Sequence, residues 1–254
     1  MDSRRWISPN SWVYLLLHLA LFLTGFALVR NGGTVSQAIG ASLIAAAVAG
    51  WVIFVYVRLS ERRIEVLEAL DRFGFVAAFE GRAALIKHEY DRRLAGAKHI
   101  DIMAFGLKSL WEDYHGEFAN WKQRAHVRIL LIDPKSPYTE QRDREEEELP
   151  GSIRGSAKRF LRETEGVRNE TTGHPFQVRL YTCLPSVNIF RVDDEIFWGP
   201  YFIHAPSRNS PTFLVRRGGL LYGRLISHFD TIWSNETLSR DPTPADAIEA
   251  SDEV

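Results

Sequence analysis

Two long apolar segments near the N-terminus constrain this chain more than any other feature. Residues 12–29 and residues 38–57 contain no Lys, Arg, Asp or Glu. Because a helix rises about 1.5 Å per residue, each segment is about long enough for the roughly 30 Å hydrocarbon core of a bilayer. A signal peptide would have a shorter apolar core with a small-residue cleavage site behind it. The sequence therefore predicts a transmembrane hairpin of two helices over residues 12–57.

The basic residues beside the two segments predict their orientation. Five of them lie on the outer flanks of the pair, and a single one lies in the connecting loop. They are Arg4, Arg5, Arg58, Arg62 and Arg63 on the flanks and Arg30 in the loop. Flanks rich in Lys and Arg stay in the cytoplasm. We therefore expect an integral protein of an inner or plasma membrane, with both termini in the cytoplasm.

Two features inside the predicted spans leave alternatives open. Small residues recur at helical spacing in the second span, including Gly40, Ser42 and Ala49. Such residues let transmembrane helices approach closely, either within the hairpin alone or also between copies of it. His18 lies near the middle of the first span. It is either a proton-transfer or pore residue, or a neutral side chain hydrogen-bonded to the neighbouring helix.

The rest of the chain has the pattern of one cytoplasmic α/β domain. After the N-terminal residues 1–11 and the hairpin, an amphipathic connector helix is predicted over residues 58–74 and the domain over residues 75–236. Inside the domain, a strand, a helix and a second apolar strand follow one another, which is typical of a parallel βαβ unit. The acidic, proline-containing residues 237–254 predict a disordered tail.

Charge and motifs narrow the classes of function. The last 20 residues hold six acidic residues and one basic residue, so the first 234 carry +4 of the total charge of −1. This small excess argues against nucleic acid as a partner. The single cysteine, Cys183, excludes an intramolecular disulfide and a cysteine-based zinc site. The sequence lacks the motifs of phosphate-binding nucleotide loops, dinucleotide-binding folds, zinc proteases and serine hydrolases. We therefore expect neither a cofactor nor a metal.

The order of the elements resembles one lobe of the phospholipase D superfamily. The resemblance is carried by AKHIDIMAFGLKSLW, HVRILLIDP, FQVRLYT and SVNIFRVDDEIFWGPYF, which begin at residues 97, 126, 176 and 186. It implies a mixed sheet flanked by helices and, because single lobes of that family pair, a homodimer or higher homo-oligomer. The family motif is H-x-K-x4-D. With Asp193 at the aspartate position, Ser186 stands at the histidine and Asn188 at the lysine, so the covalent phosphohistidine reaction is not expected.

Ligands of α/β domains bind in the crevice outside the strand ends. Polar residues predicted near that edge are therefore candidate ligand contacts, and Arg, Ser and Asn together suit a phosphate group. The candidates are Asp133, Arg142, Arg191, Asp193, Tyr201, His204, Ser207, Arg208, Asn209 and Ser210. Structural roles stay open for several of them: Asp193 as a turn residue, Arg191 as an outward strand residue and His204 as an ordinary loop histidine.

Two functional hypotheses follow. In the first, the chain is a membrane-anchored sensor or effector without catalysis, which binds a phosphate-bearing ligand, a nucleotide or a headgroup, and signals to or through the hairpin. This layout resembles two-span effectors of bacterial defence or stress signalling, an analogy of architecture. In the second, the chain is a divergent membrane-bound phosphodiesterase, nuclease or phospholipid-processing enzyme, with His204 as a candidate base.

Overall fold

A computed structural model describes residues 9–80, 84–184, 186–204, 206 and 209–248 of the 254-residue chain. Of residues 9–11, 61–62 and 84–85 it describes the backbone alone. The chain divides into two compact units, residues 1–69 and residues 70–254.

The first unit is built from two long helices. Helix α1 covers Pro9–Asn31, and helix α2 covers Thr34–Phe73 and ends in the second unit. Both contain a stretch that is long and apolar enough to cross a membrane by length and composition, and most of that stretch is exposed. The predicted pair of apolar helices is therefore present.

Small residues bring α1 and α2 into close contact. A Cβ atom on Gly40 would lie 2.6 Å from the carbonyl oxygen of Gly25, and a Cβ on Gly50 would lie 2.0 Å from the His18 ring. The Tyr14 hydroxyl donates a hydrogen bond to the Gly50 carbonyl across the pair, at 3.1 Å. Glycine at these positions is thus needed for the packing of the hairpin itself.

The second unit is organised around a mixed sheet of eight strands in the order β1-β7-β6-β5-β2-β3-β4-β8. Strands β2, β3 and β4 run parallel to one another, and the other neighbouring pairs are antiparallel. The strands are β1 Phe75–Phe79, β2 His99–Ala104, β3 His126–Ile132, β4 Phe176–Tyr181, β5 Val187–Val192, β6 Glu195–Pro200, β7 Thr212–Arg216 and β8 Ser239–Arg240. Strand β1 lies outside the sequence-based predictions.

Helices cover both faces of the sheet, because the central strands are buried on both sides. They are α3 Ala84–Leu94, α4 Lys108–Tyr114, α5 Phe118–Arg124, α6 Tyr138–Glu145, α7 Ser152–Glu163, α8 Glu165–Asn169 and α9 Leu220–Ser234. On one face, Phe118 of α5 packs against Phe160 and Phe176. On the other, Arg128 of β3 lies against Phe229 of α9. The predicted mixed sheet flanked by helices is confirmed.

Residues 237–248 differ from the disordered tail that was predicted over residues 237–254, of which residues 249–254 lie outside the described residues. Residues 239–240 form β8 against β4, and Pro244–Asp246 form a 3₁₀ helix. The guanidinium group of Arg240 donates hydrogen bonds to the carboxylates of Asp133 and Asp246, at 2.7–2.9 Å. This paired charge network orders a segment whose composition resembles that of disordered chains, and Leu238 and Ala247 pack against the apolar core.

Candidate ligand-binding cavity

A cavity of about 190 Å³ opens at the carboxyl end of β2. Its walls come from separate parts of the domain: the turn between β2 and α4, the first turns of α4 and α7, the start of β5, and the segments around Glu146 and Tyr201. The lining residues are Tyr90, Ile102, Met103, Ala104, Phe105, Gly106, Leu107, Lys108, Ser109, Leu110, Tyr114, Glu146, Glu148, Ser152, Ile153, Ser156, Asn188, Ile189, Phe190, Tyr201, Pro206 and Thr212.

The turn from β2 into α4 creates this space. Leu107 has a φ of 52°, in the left-handed region that non-glycine residues rarely adopt, and it directs the chain away from the sheet. The residue before it must be small, because a Cβ atom on Gly106 would lie 2.8 Å from the Cβ of Ser156 on α7. The local sequence Phe-Gly-Leu-Lys-Ser therefore lets α7 approach and places Lys108 and Ser109 at the cavity.

Several polar groups in the lining have no partner among the described residues, whereas Ser109, Tyr114 and Glu146 have one. Lys108 and Glu148 line the same cavity, yet neither side chain forms an ion pair or a hydrogen bond within the part of the chain that the structure describes. The same holds for the side chains of Ser152, Ser156 and Asn188. Cavities that bind small molecules combine apolar walls with a few such polar groups.

Aromatic rings form much of the apolar wall. Phe105 and Tyr201 meet edge to face with their ring centroids 4.8 Å apart, and Tyr90 meets Phe190 at 4.9 Å. Burial raises the pKa of the Tyr201 hydroxyl, although the nearby Arg142 acts in the opposite direction. Tyr201 is thus a neutral, packed part of the wall at physiological pH.

Arg142, a predicted phosphate contact, lies behind this wall and is fully committed to internal partners. Its side chain is 1% exposed and forms ion pairs with Glu145 and Glu146, at 3.1 and 2.7 Å. It also donates a hydrogen bond to the carbonyl of Phe202 at 3.0 Å, and its guanidinium group lies 4.9 Å from the centre of the Tyr201 ring. Arg142 therefore links α6 to the backbone at Phe202 and packs against the Tyr201 ring, which stabilises this wall of the cavity.

The backbone amides at the start of α7 also have an internal hydrogen-bond acceptor. The carboxylate of Asp143 accepts hydrogen bonds from the backbone amides of Gly151 and Ile153, both at 2.8 Å. Asp143 therefore fills the position where an exogenous anion would meet the positive end of the helix dipole. A negatively charged ligand in the cavity has to use side chains instead.

Arg191 and Asp193 lie toward the opposite end of β2 and do not line the cavity. Because β5 runs antiparallel to β2, Val192 pairs with Ile100 near the start of β2. Arg191 donates a hydrogen bond at 2.7 Å to the buried carboxylate of Asp101, which Arg128 also holds. Asp193 is a turn residue with a φ of 50°, and its carboxylate accepts hydrogen bonds from two backbone amides at the start of β2. Both predicted ligand contacts have structural roles.

The remaining predicted contacts that the structure describes do not line the cavity either. Asp133 accepts hydrogen bonds from Arg240, and the exposed His204 contacts the carboxylate of Glu147 at 2.6 Å. Asn209 is exposed, and Ser210 is buried with no hydrogen-bond partner for its hydroxyl among the described residues. Ser207 and Arg208 lie outside the described residues. Of the ten predicted contacts, Tyr201 lines the cavity.

The predictions from sequence placed the site after β3, around the β5–β6 hairpin and in the loop at 204–211. They omitted Lys108, Ser109, Glu148, Ser152 and Ser156. A signal for two of these was present, since Lys108 and Ser109 directly follow the first strand of the predicted βαβ unit. Ser152, Ser156 and Glu148 come from a different stretch of sequence. Only the packing of α7 against the β2–α4 turn brings them together.

Catalytic groups of the phosphohistidine type are missing from the cavity. The described lining includes neither a histidine nor a cysteine, and it includes Asn188. Among the described residues, no group of three or more His, Cys, Asp or Glu side chains is arranged to hold a metal ion. The described lining thus offers hydroxyl groups and charged side chains for binding.

Comparisons with known proteins give little further information. No protein-family model matches the chain, and no curated protein matches it. Among solved structures, the archaeal chromatin protein TrmBL2, described as showing a novel mode of DNA binding, aligns with 80% of this chain and 70% of its own, at 13% identity and a TM-score of 0.39. This similarity neither supports nor excludes the phospholipase D resemblance.

The same comparison corrects one expectation. Nucleic acid was argued against as a partner on the basis of net charge alone, and a structural neighbour described as binding DNA contradicts that exclusion. The exclusion is therefore withdrawn. A TM-score of 0.39 is too low to show what the present chain itself binds.

Proposed function

We propose that this protein is a membrane-anchored sensor whose second unit binds a small phosphate-bearing ligand in the cavity at the carboxyl end of β2. The observation that carries the proposal is the set of unpaired polar side chains in that cavity. Lys108 supplies a cation, and Ser152 and Ser156 supply hydroxyl donors that no described residue uses. These groups suit a phosphate held by one charge and several hydrogen bonds.

The membrane attachment in this proposal rests on α1 and α2. Their apolar stretches are exposed and have the length of a bilayer core. With the basic flanks in the cytoplasm, both termini and the ligand-binding unit would lie on that side of an inner or plasma membrane. Ligand binding would then be reported to or through the hairpin, with pairing of two copies as an additional element of the proposal.

We favour binding over catalysis, because the cavity lacks an evident nucleophile. An enzyme would need a group that attacks or activates water at the phosphorus. The described lining has neither histidine nor cysteine. Of its two acids, Glu146 is paired with Arg142, which leaves Glu148 as the one acid that could activate water. The divergent phosphodiesterase remains the alternative, and product formation from any bound phosphate ester would establish it.

The test is a ligand screen on the full chain purified in detergent. Its thermal midpoint is measured with nucleotides, phosphorylated headgroups, short oligonucleotides and inorganic phosphate, and each mixture is then analysed for product. A ligand at 100 times its Kd stabilises the folded state by about 2.7 kcal/mol. We expect a shift without product that Lys108→Ala abolishes. The matched control is Lys98→Ala, which removes a lysine before the start of β2. No shift with any phosphate compound would contradict the proposal.

A further inference from the structure

The cavity holds two opposite charges that do not neutralise each other. Lys108 and Glu148 both line it, but no ion pair joins them, and no other described residue pairs with either side chain. Elsewhere in the domain, charges on neighbouring elements form ion pairs, as Arg93 does with Glu195 at 2.7 Å. Lys108 is exposed and Glu148 is half-buried, so the two unpaired charges border an open cavity. A ligand that carries both charges would complement them.

Glu148 is held at the cavity by the same residue that organises α7. Its backbone amide donates a hydrogen bond to the carbonyl of Asp143 at 2.9 Å, and Glu147, the residue before it, adopts a left-handed φ of 57°. The carboxylate of Asp143 also fixes the start of α7, which carries Ser152. Asp143 therefore anchors the backbone both at Glu148 and at the start of α7, on either side of the segment that joins them.

The wall of the cavity suits an ammonium group as well. Aromatic side chains contribute to the lining, among them Tyr90 and Phe190, whereas the Tyr114 ring already has the ammonium group of Lys87 over it, at 4.8 Å. The faces of such rings attract organic cations, and the effect adds to that of a nearby carboxylate. Arg142 does not oppose this, because Glu145 and Glu146 neutralise its charge.

We infer that the ligand is a small zwitterion with a phosphate at one end and an ammonium group at the other. The phosphate contacts Lys108 and the serine hydroxyls, and the ammonium group contacts Glu148 and the aromatic wall. This inference rests on the proposed function, to which it adds the second charge of the ligand. The chemistry is shared by soluble phosphorylated amines and by amine-bearing phospholipid headgroups.

Two probes of nearly equal shape test the inference. O-phosphoethanolamine carries the ammonium group, and propyl phosphate has a methyl group in its place. We measure both by isothermal titration calorimetry with the full chain in detergent. The expected result is that O-phosphoethanolamine binds about tenfold more tightly, equivalent to about 1.4 kcal/mol. Glu148→Gln should bring the two affinities together and leave that of propyl phosphate unchanged.

The control variant is Glu147→Gln, which makes the same change in charge one residue away, outside the lining. It should keep the tenfold preference. Equal affinities for the two probes in the unaltered protein, or a preference that Glu148→Gln leaves intact, would overturn the inference and leave the proposed function standing. Binding of neither probe, together with no response to any other phosphate compound, would overturn both.

A further experiment distinguishes a phospholipid headgroup from a soluble phosphorylated amine as the ligand. The titration with O-phosphoethanolamine is repeated in nanodiscs of phosphatidylglycerol and in nanodiscs that also contain phosphatidylethanolamine. Weaker apparent binding in the second set would identify the lipid headgroup as the occupant, because it competes for the cavity. Equal binding in both sets would assign the site to a soluble phosphorylated amine.

Discussion

The cavity and the Asp101 cluster contain similar residue types but differ in how their charges are satisfied. In the Asp101 cluster, a carboxylate that is 3% exposed is held by Arg128 and by Arg191, all within 2.9 Å. In the cavity, Lys108 and Glu148 face a common space without partners among the described residues. A charge with complete internal pairing is explained by the fold, whereas an unpaired charge in a cavity calls for a ligand.

The largest expected effect is the loss of the Asp101 cluster. Asp101→Ala leaves the guanidinium groups of Arg128 and Arg191 partly buried without their shared carboxylate. Breaking a buried charge pair typically costs about 3–5 kcal/mol, so we expect a large fall in the thermal midpoint or a failure to fold. The folded fraction should bind phosphate ligands with unchanged affinity, measured by calorimetry. A stable Asp101→Ala variant would show that pairing is a poor guide to structural importance in this domain.

A smaller effect is expected at the end of the chain. Asp246→Asn removes the acid that Arg240 and the Thr243 amide hold, and should destabilise the domain by roughly 2 kcal/mol in thermal or chemical unfolding. The hydrogen bond from Arg240 is the main reason why the pKa of the Asp246 carboxyl lies well below its ordinary value.

The pH dependence of this contribution follows from the direction of the shift. A carboxyl whose pKa is lowered on folding stabilises the protein above its unfolded pKa, and this stability is lost as the pH falls through the folded pKa. The difference in midpoint between the unaltered protein and Asp246→Asn should therefore persist at pH 5 and shrink only in strongly acidic buffer. A difference that disappears between pH 6 and pH 5 would contradict the assignment.

The smallest predicted effect concerns His228 on α9. Burial lowers its pKa, and its Nε2 atom is buried with no hydrogen-bond partner among the described residues. Because the unfolded chain takes up the proton more readily, stability should fall as the pH drops below the ordinary histidine pKa of about 6.5. The decrease in thermal midpoint from pH 7.5 to pH 5.5 should be smaller in His228→Gln. Equal decreases in the two proteins would rule out this role.

Much of the fold could be predicted from the sequence, because apolar periodicity reports burial directly. The two apolar helices, the parallel β2–β3 unit and the hairpin of β5 and β6 all have this signal. Helix α6 lacks this apolar periodicity, because its buried residues Thr139, Arg142 and Asp143 are polar and form hydrogen bonds. The helix of the predicted βαβ unit is divided into α4 and α5 around Gly116, a residue of low helix propensity.

The site was harder to predict for a related reason. Sequence shows which residues are charged, but the partners of a charge are set by tertiary contacts. Arg142 and Arg191 have the composition of phosphate contacts, and both are paired inside the fold. Lys108 and Glu148 lie 40 positions apart and meet in one cavity through the packing of α4 and α7.

The most direct test of this distinction compares Lys108→Ala with Arg191→Ala in the full chain. For each variant, the thermal midpoint and the affinity for the best phosphate ligand from the screen are measured side by side. We predict that Lys108→Ala changes stability by no more than about 0.5 kcal/mol and abolishes binding, whereas Arg191→Ala lowers stability and keeps the affinity of the folded protein. Stability lost in Lys108→Ala together with unchanged ligand affinity would contradict the assignment of the cavity as the ligand site.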